Sequence, residues 1–286
     1  MVMQQERKYP VFVMCGRDHQ RSRLLKNIDP DEKYKSKALL PFLGRRLIDW
    51  QLEALNRSSY IEGLYLLGLS AADARFSFPV HYVPVETTAE FPDKLAAGLE
   101  YLSAIGKNSH LVVISSSDAP GIQTPQINQF FEHLNSLPGS EFVLSLVPED
   151  RVEVAFPNSG RVVLRFRDQN LILGELFALS PRAIRNNRKI ISQISTRRLQ
   201  INRQAEKINP KPVIRLLAQK PHMWGVIIKY LFGRATLEDA ERMITKTFGY
   251  QTKGVIISDA GFGMDIDLPE DYERLKSYVQ ALMCPP

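Results

Sequence analysis

The stretch "VVISSSDAPG", Val112–Gly121, decides the fold. Apolar residues from Leu111 to Ile114 run into three serines, then Asp118 and Pro120. An apolar run closed by a polar turn predicts a buried strand that ends in a loop. Asp118 then has two readings. Within Asp-Ala-Pro it is a turn former, because Asp bonds its own backbone readily. It also stands where a metal ligand would, since open α/β sheets bind ligands outside the carboxyl ends of their strands. The stretch alone favours the turn.

Outward from this strand, strand and helix patterns alternate. "YPVFVMCG" predicts a strand running into a long loop, and "RRLIDWQLEALNRS" a helix with Leu47, Ile48, Leu52 and Leu55 at helical spacing. "IEGLYLLGL" and "VHYVPV" are strands. "FPDKLAAGLEYLSAIG" is a helix with Leu95, Leu99 and Leu102 on one face. "TPQINQFFEHLNSL" is a helix, with Thr124 expected as its cap and Pro125 in its first turn. "EFVLSLVP" is a strand. Such alternation implies βαβ units and a mostly parallel sheet. After Pro148 the pattern changes to two β segments, "RVVLRFRD" and "LILGELFALS", and then a basic, largely helical block. "TLEDAERMITKTFG" starts with a capping box at Thr236 and Asp239. A strand, "TKGVIIS", and a helix, "LPEDYERLKSYVQALM", follow.

The 286 residues suffice for one large α/β domain or two small ones. With 44% apolar and 24% charged residues, the composition is that of a soluble globular protein. No apolar run approaches the roughly 20 residues of a membrane span, and "MVMQQERKYP" lacks a signal-peptide layout. The two cysteines, Cys15 and Cys284, imply no disulfide framework. A cytoplasmic location is therefore expected. The net charge of +6 is uneven: Arg182 to Lys220 holds eleven Lys or Arg and one acid, Glu206. Such a block suits a solvated helical face or an anionic partner, namely a phosphorylated substrate, a membrane surface or RNA.

Three segments carry candidate chemistry. Lys37, in "YKSKALLPFLG", follows the long loop after the first strand, where a lysine can neutralise phosphate oxygens as a point charge. Asp118 is the second. The third is "GFGMDIDLPEDYERL". On an extended segment Asp265 and Asp267 point to the same side. Asp267 is also a good helix N-cap ahead of Pro269, whereas Asp265 has no such structural role. Two acids at one sheet edge with Asp118 suit a hard divalent cation such as Mg²⁺.

In this order, "KALLPFLGRRLIDWQLEAL", "SSSDAPGIQTPQINQFF" and "DIDLPEDYERL" resemble the MobA-like NTP transferases of the GT-A-like superfamily. The resemblance spans nearly the whole chain. It implies a single domain over 1–286, three-layer α/β/α like the nucleotide-diphospho-sugar transferases. The mostly parallel sheet would have about seven strands, and 182–234 would be a basic helical insertion. It implies Mg²⁺-dependent transfer of a nucleoside monophosphate from an NTP to a phosphorylated small-molecule acceptor, with release of pyrophosphate. Residue by residue, it makes Lys37 and Asp118 catalytic, and Asp118, Asp265 and Asp267 metal ligands. It assigns Gly16, Arg17, Arg23, Lys37 and Asp93 to the nucleotide, with Lys94 beside Asp93. Gly174, Glu175 and Arg197 fall on the acceptor side. For Asp93 a first-turn helix acid is the stronger reading.

Two departures stand out. The first loop, "CGRDHQRSRLLKN", is poor in the glycines that expose backbone N–H groups to a triphosphate. The acceptor segment reads Leu173-Gly174-Glu175, and Glu175 repels a phosphorylated acceptor unless a cation offsets it. The rival readings are a non-catalytic nucleotide- or anion-binding protein of the same fold and a GT-A-like glycosyltransferase. The anion-binding reading includes a membrane-surface contact through the basic block. The late position of Asp-Ile-Asp argues against the glycosyltransferase. The nucleotide, the acceptor and the oligomeric state are not legible in the sequence.

Overall fold

The computed structural model describes residues 7–16, 23–186, 188 and 224–284. Strand β1, Tyr9–Met14, lies near the middle of one eight-stranded sheet. It pairs in parallel with β6, Val112–Ser115, on one side and β4, Ile61–Leu67, on the other. The short β5, His81–Val83, extends the parallel run beyond β4. Beyond β6 lies β9, Asn170–Leu179, antiparallel to β6 and to β7, Phe142–Pro148. β10, Thr252–Ile256, closes that edge parallel to β7, and β8, Val163–Arg165, hangs on β9. The sheet order is β10-β7-β9-β6-β1-β4-β5. It is the expected mostly parallel sheet, with β8 added to the seven strands in line.

The central strands are mostly apolar because both of their faces are covered, with Glu62 near the start of β4 and Ser115 at the end of β6 as exceptions. Val11, Val13, Leu64, Leu66 and Val113 pack on one side, with Leu52, Phe130, Phe131 and Leu275 from the helices Leu47–Asn56, Thr124–Asn135 and Pro269–Met283. Phe12, Tyr65, Leu67, Val112 and Ile114 pack on the other. There they meet Leu95 and Leu99 of the helix Phe91–Ala104 and Ala183 and Ile184 of the helix Pro181–Asn186. The period of two along each strand thus builds three layers. Each large apolar side chain buried this way contributes about 1.5–3 kcal/mol.

Several local expectations change. Thr124 does not cap its helix. Gln123 holds the N-cap position, and the Thr124 hydroxyl donates to the Ala54 carbonyl at 2.9 Å, tying two helices together. Asp267 does not cap the last helix either. Leu268 is the N-cap residue, and its N–H and that of Asp267 donate to the Asp271 carboxylate at 3.0 and 3.4 Å. Asp267 is thereby left for another role. Glu149–Ala155 forms a helix that the alternating Val-Glu-Val does not announce; Pro148 at its N-cap and acids in its first turn favour it. Lys37–Leu39 forms a 3₁₀ turn, and Pro41–Phe42 and Arg45–Arg46 form a small hairpin, β2 and β3. The Thr236–Asp239 capping box forms as expected, with reciprocal bonds of 3.2 Å. Among the described residues no helix is long and apolar enough to cross a membrane.

Candidate functional site

Asp118 lies three residues past the end of β6 and is buried. Its loop is held from below. Gln51, fully buried on the helix Leu47–Asn56, donates to the Ser115 hydroxyl at 2.7 Å and accepts from the Ala119 N–H at 3.1 Å. Ser117 donates to the Met14 carbonyl at 2.8 Å, fixing the loop to the carboxyl end of β1.

A second loop, after β10, is stitched onto the first. The Ile266 N–H donates to the Asp118 carbonyl at 3.0 Å. Upstream, Gly261 touches Gly121 so closely that a Cβ on Gly261 would lie 2.3 Å from the Gly121 carbonyl oxygen. Only glycine permits this approach. It sets Asp265 beside Asp118.

The third contribution comes from β9. Leu144 pairs with Phe177 but Leu146 with Leu173, so Ser145 alone faces Gly174, Glu175 and Leu176. This is a bulge, and bulges re-aim side chains. Gly174 permits a close approach: a Cβ there would lie 2.3 Å from the Ser145 Oγ, so that hydroxyl, which donates to the Leu176 carbonyl, would have to move. β9 stops pairing with β6 at Leu176, opposite Ser115, so Glu175 emerges beside the strand end that leads to Asp118. Carboxylate oxygens of Asp118, Glu175 and Asp265 lie within 4.8 Å of one another, and all three residues are buried.

Two cations serve this acidic centre. Lys37 Nζ donates to the Ile266 carbonyl at 2.7 Å and to Asp267 at 2.8 Å, and it forms a short ion pair with Asp118. Burial alone would drive Lys37 toward neutrality. The carboxylates of Asp118, Asp267 and Asp265 outweigh it and hold the ammonium well above its usual range. Burial pushes the Asp118 carboxyl up; Lys37 pulls against this, and Asp265 and Asp267 add to the push. The second cation is Arg161, from the loop between the helix Glu149–Ala155 and β8. Its guanidinium pairs with the Asp265 carboxylate and donates to the Asp265 carbonyl. It also reaches the Met264 sulfur at 3.1 Å and Asp271 at 3.8 Å. Burial opposes its charge, but Asp265, Asp271 and Glu175 prevail, so it too stays a cation.

An oxygen-only donor set of three carboxylates suits a hard divalent cation such as Mg²⁺. The sequence reading placed Asp118, Asp265 and Asp267 together as ligands. The structure joins Glu175 to Asp118 and Asp265, and sets Asp267 against Lys37. Gly174 lies at the bulge beside Glu175. Sequence reasoning took Glu175 for a repulsive acceptor-wall residue, although a glycine inside a strand pattern already signals a bulge. It missed Gln51 and Arg161, for which "QLEAL" and "NSGRVV" carry no signal.

The other expected nucleotide residues are Gly16, Arg17, Arg23 and Asp93. Gly16 accepts from the Ser36 hydroxyl at 3.0 Å, and Lys94, itself buried, lies beneath it and donates to the Thr87 carbonyl at 2.6 Å. A cavity of about 500 Å³ opens alongside, lined by Lys35, Gly68, Ser70, Tyr82, Glu86 and Thr87. Cys15 is buried and its thiol is pushed up to about 12, which makes it inert. Asp93 is a first-turn helix acid paired with Arg188, as its local reading had it. Arg23 is exposed and paired with Glu270 at 2.7 Å. Arg17, Arg197 and most of the basic block lie outside the described residues.

Solved structures share this architecture. A hypothetical transferase from Thermus thermophilus superposes with a TM-score of 0.70 at 21% identity, over 93% of this chain and 99% of that one. A CMP:2-keto-3-deoxy-manno-octonic acid synthetase complexed with CTP gives 0.54 at 12%, over 96% and 99%. A nucleotidyl transferase from Methanothermobacter thermautotrophicus gives 0.52 at 12%, over 97% and 100%. The likeness is one of fold. No family model and no curated protein matches the sequence.

Proposed function

We propose that the chain is a divalent-metal-dependent nucleotidyltransferase that moves a nucleoside monophosphate from an NTP to a phosphorylated small-molecule acceptor and releases pyrophosphate. One observation carries this reading. Three buried carboxylates and a charged lysine, from four distant parts of the chain, meet beside the carboxyl end of β6. Asp118, Glu175 and Asp265 are the residues that would hold Mg²⁺. Bound there, Mg²⁺ would screen the phosphate oxygens and help align them for in-line displacement. Lys37 is the residue that meets the triphosphate, exchanging a carboxylate for a phosphate oxygen and steadying charge on the leaving pyrophosphate. Asp267 is its resting partner rather than a metal ligand. Gln51 and Ser117 hold the Asp118 loop so that little reorganisation is needed on binding.

Gly16 and Arg17 are assigned to the nucleotide, and Arg197, with the insertion 182–234 in this single domain, to the acceptor side. Glu175 no longer opposes the acceptor, because its charge belongs to the metal set. The similar folds in nucleotide-using proteins support the reading without supplying the nucleotide or the acceptor. The test is pyrophosphate release from each of the four NTPs with a panel of phosphorylated sugars, polyols and sugar acids, with Mg²⁺ or with chelator. Calorimetric NTP titration runs in parallel. Metal-dependent NTP binding that is lost in Asp118→Asn is expected. NTP binding indifferent to both metal and Asp118 would remove the reading.

A further inference from the structure

We propose that Arg161 is a built-in counter-ion that stands in for the divalent cation in the metal-free protein and competes with it for Asp265. The inference rests on the metal reading of Asp118, Glu175 and Asp265. Three buried carboxylates with oxygens within 4.8 Å of one another form a dense negative centre that needs positive charge at close range. A metal-free protein must neutralise them by other means. Lys37 does so for Asp118, shared with Asp267. Arg161 does so for Asp265, shared with Asp271.

The placement of Arg161 fits this task better than a purely structural one. Its side chain is only 14% exposed, so its desolvation must be offset by charge at close range. It comes from the loop between the helix Glu149–Ala155 and β8, not from a central strand or a flanking core helix. Its fork bridges the carboxylate and the main-chain carbonyl of Asp265. It thereby grips a carboxylate assigned to the metal while fixing the backbone that carries it. A divalent ion arriving at Asp265 meets a guanidinium already on that carboxylate. Two cations sharing one buried anion repel. The fold therefore tolerates an empty site at the expense of metal affinity.

The experiment is titration with Mn²⁺, followed by the loss of its free-ion paramagnetic resonance signal, together with thermal melting. The parent, Arg161→Gln and Arg161→Lys are compared without nucleotide. Arg161→Gln is expected to bind Mn²⁺ roughly ten-fold or more tightly than the parent, since a nearby repelling charge is gone. It should melt lower than the parent when metal-free, and saturating Mn²⁺ should close most of that gap. Arg161→Lys keeps the charge and is expected to bind Mn²⁺ like the parent. Equal or weaker Mn²⁺ binding by Arg161→Gln overturns the inference while leaving the metal site standing. Tighter binding by both variants also overturns it, because the effect then follows lost contacts rather than charge. If neither the parent nor Arg161→Gln binds Mn²⁺, the metal reading and this inference fall together. If Arg161→Gln does not fold metal-free, recovery of its native circular dichroism in Mn²⁺ supports the inference, and no recovery overturns it.

Discussion

Asp118 and Lys37 form the pair on which the site turns, and the two residues answer differently to replacement. Asp118→Asn keeps shape and hydrogen-bonding capacity but removes one of several crowded carboxylates, so relief of repulsion from Asp265 and Asp267 offsets the lost ion pair. Stability is expected to stay within about 1 kcal/mol of the parent. Metal-dependent NTP affinity should fall at least about 100-fold, more than a merely supporting residue would cost. Urea unfolding beside calorimetric titration checks both halves. Lys37→Met is the opposite case. It leaves Asp118 and Asp267 without their shared cation, which costs about 3 kcal/mol when a buried partner is removed. A Lys37→Met protein as stable as the parent would show that the ion pairs to Asp118 and Asp267 add no net stability. Neither residue was legible alone, since Asp118 reads locally as a turn former and a lone lysine as a solvated one; the order of the three segments and their resemblance to a known family singled them out. Arg161 and Gln51 were not singled out, because their partners lie 104 and 64 residues away. Nothing local marks such a residue.

At the scale of elements, the site depends on a glycine contact and a bulge. Gly261→Ala places a Cβ 2.3 Å from the Gly121 carbonyl oxygen, and backbone on both sides must move. A loss of about 1–3 kcal/mol is expected, as for other overpacked positions. The Ile266–Asp118 bond should loosen with it, so Mn²⁺ affinity should drop although no ligand is touched. Full Mn²⁺ affinity in a destabilised Gly261→Ala would uncouple the two loops. The helix Leu237–Phe248 offers a pH test. A hydrogen bond from Lys229, with others from the Thr236 N–H and Arg242, holds the Asp239 carboxyl down to about 2. A depressed carboxyl stabilises the fold above its unfolded value near 4 and stops doing so as pH falls through about 2. The stability gap between the parent and Asp239→Asn should therefore be constant above about pH 5 and close toward pH 2. A gap that persists at pH 2 would assign the cap's value to shape rather than charge. This cap was legible, because Thr-x-x-Asp is a local pattern. The helix Glu149–Ala155 was not, since tertiary placement overrode an alternation that suits a strand.

For the whole molecule, the alternation of periods two and 3.6 was enough to indicate a three-layer sheet, because parallel strands buried on both faces leave continuous apolar runs. Sheet order was not encoded in that way. β9 slots between β6 and β7 although it follows both in the chain, and only this insertion carries Glu175 to the end of β6. The proposed metal set is therefore drawn from residues 118, 175 and 265 on three segments that meet only when the sheet is complete. In the unfolded chain these carboxylates are dispersed, so a divalent ion has no comparable site there. Such a ligand stabilises the native state by mass action, about 2.7 kcal/mol at 100 times its Kd. For a chain of 286 residues that corresponds to a rise in Tm of roughly 4–5 °C. Mg²⁺ or Mn²⁺ at that excess is expected to produce such a rise, K⁺ at equal ionic strength is not, and Asp118→Asn should abolish it. Glu175→Gln should reduce the rise as strongly as Asp265→Asn, whereas Asp267→Asn should spare most of it, since that carboxylate is on Lys37. Equal losses from Glu175→Gln and Asp267→Asn would return Asp267 to the metal set and leave the β9 bulge without its assigned purpose.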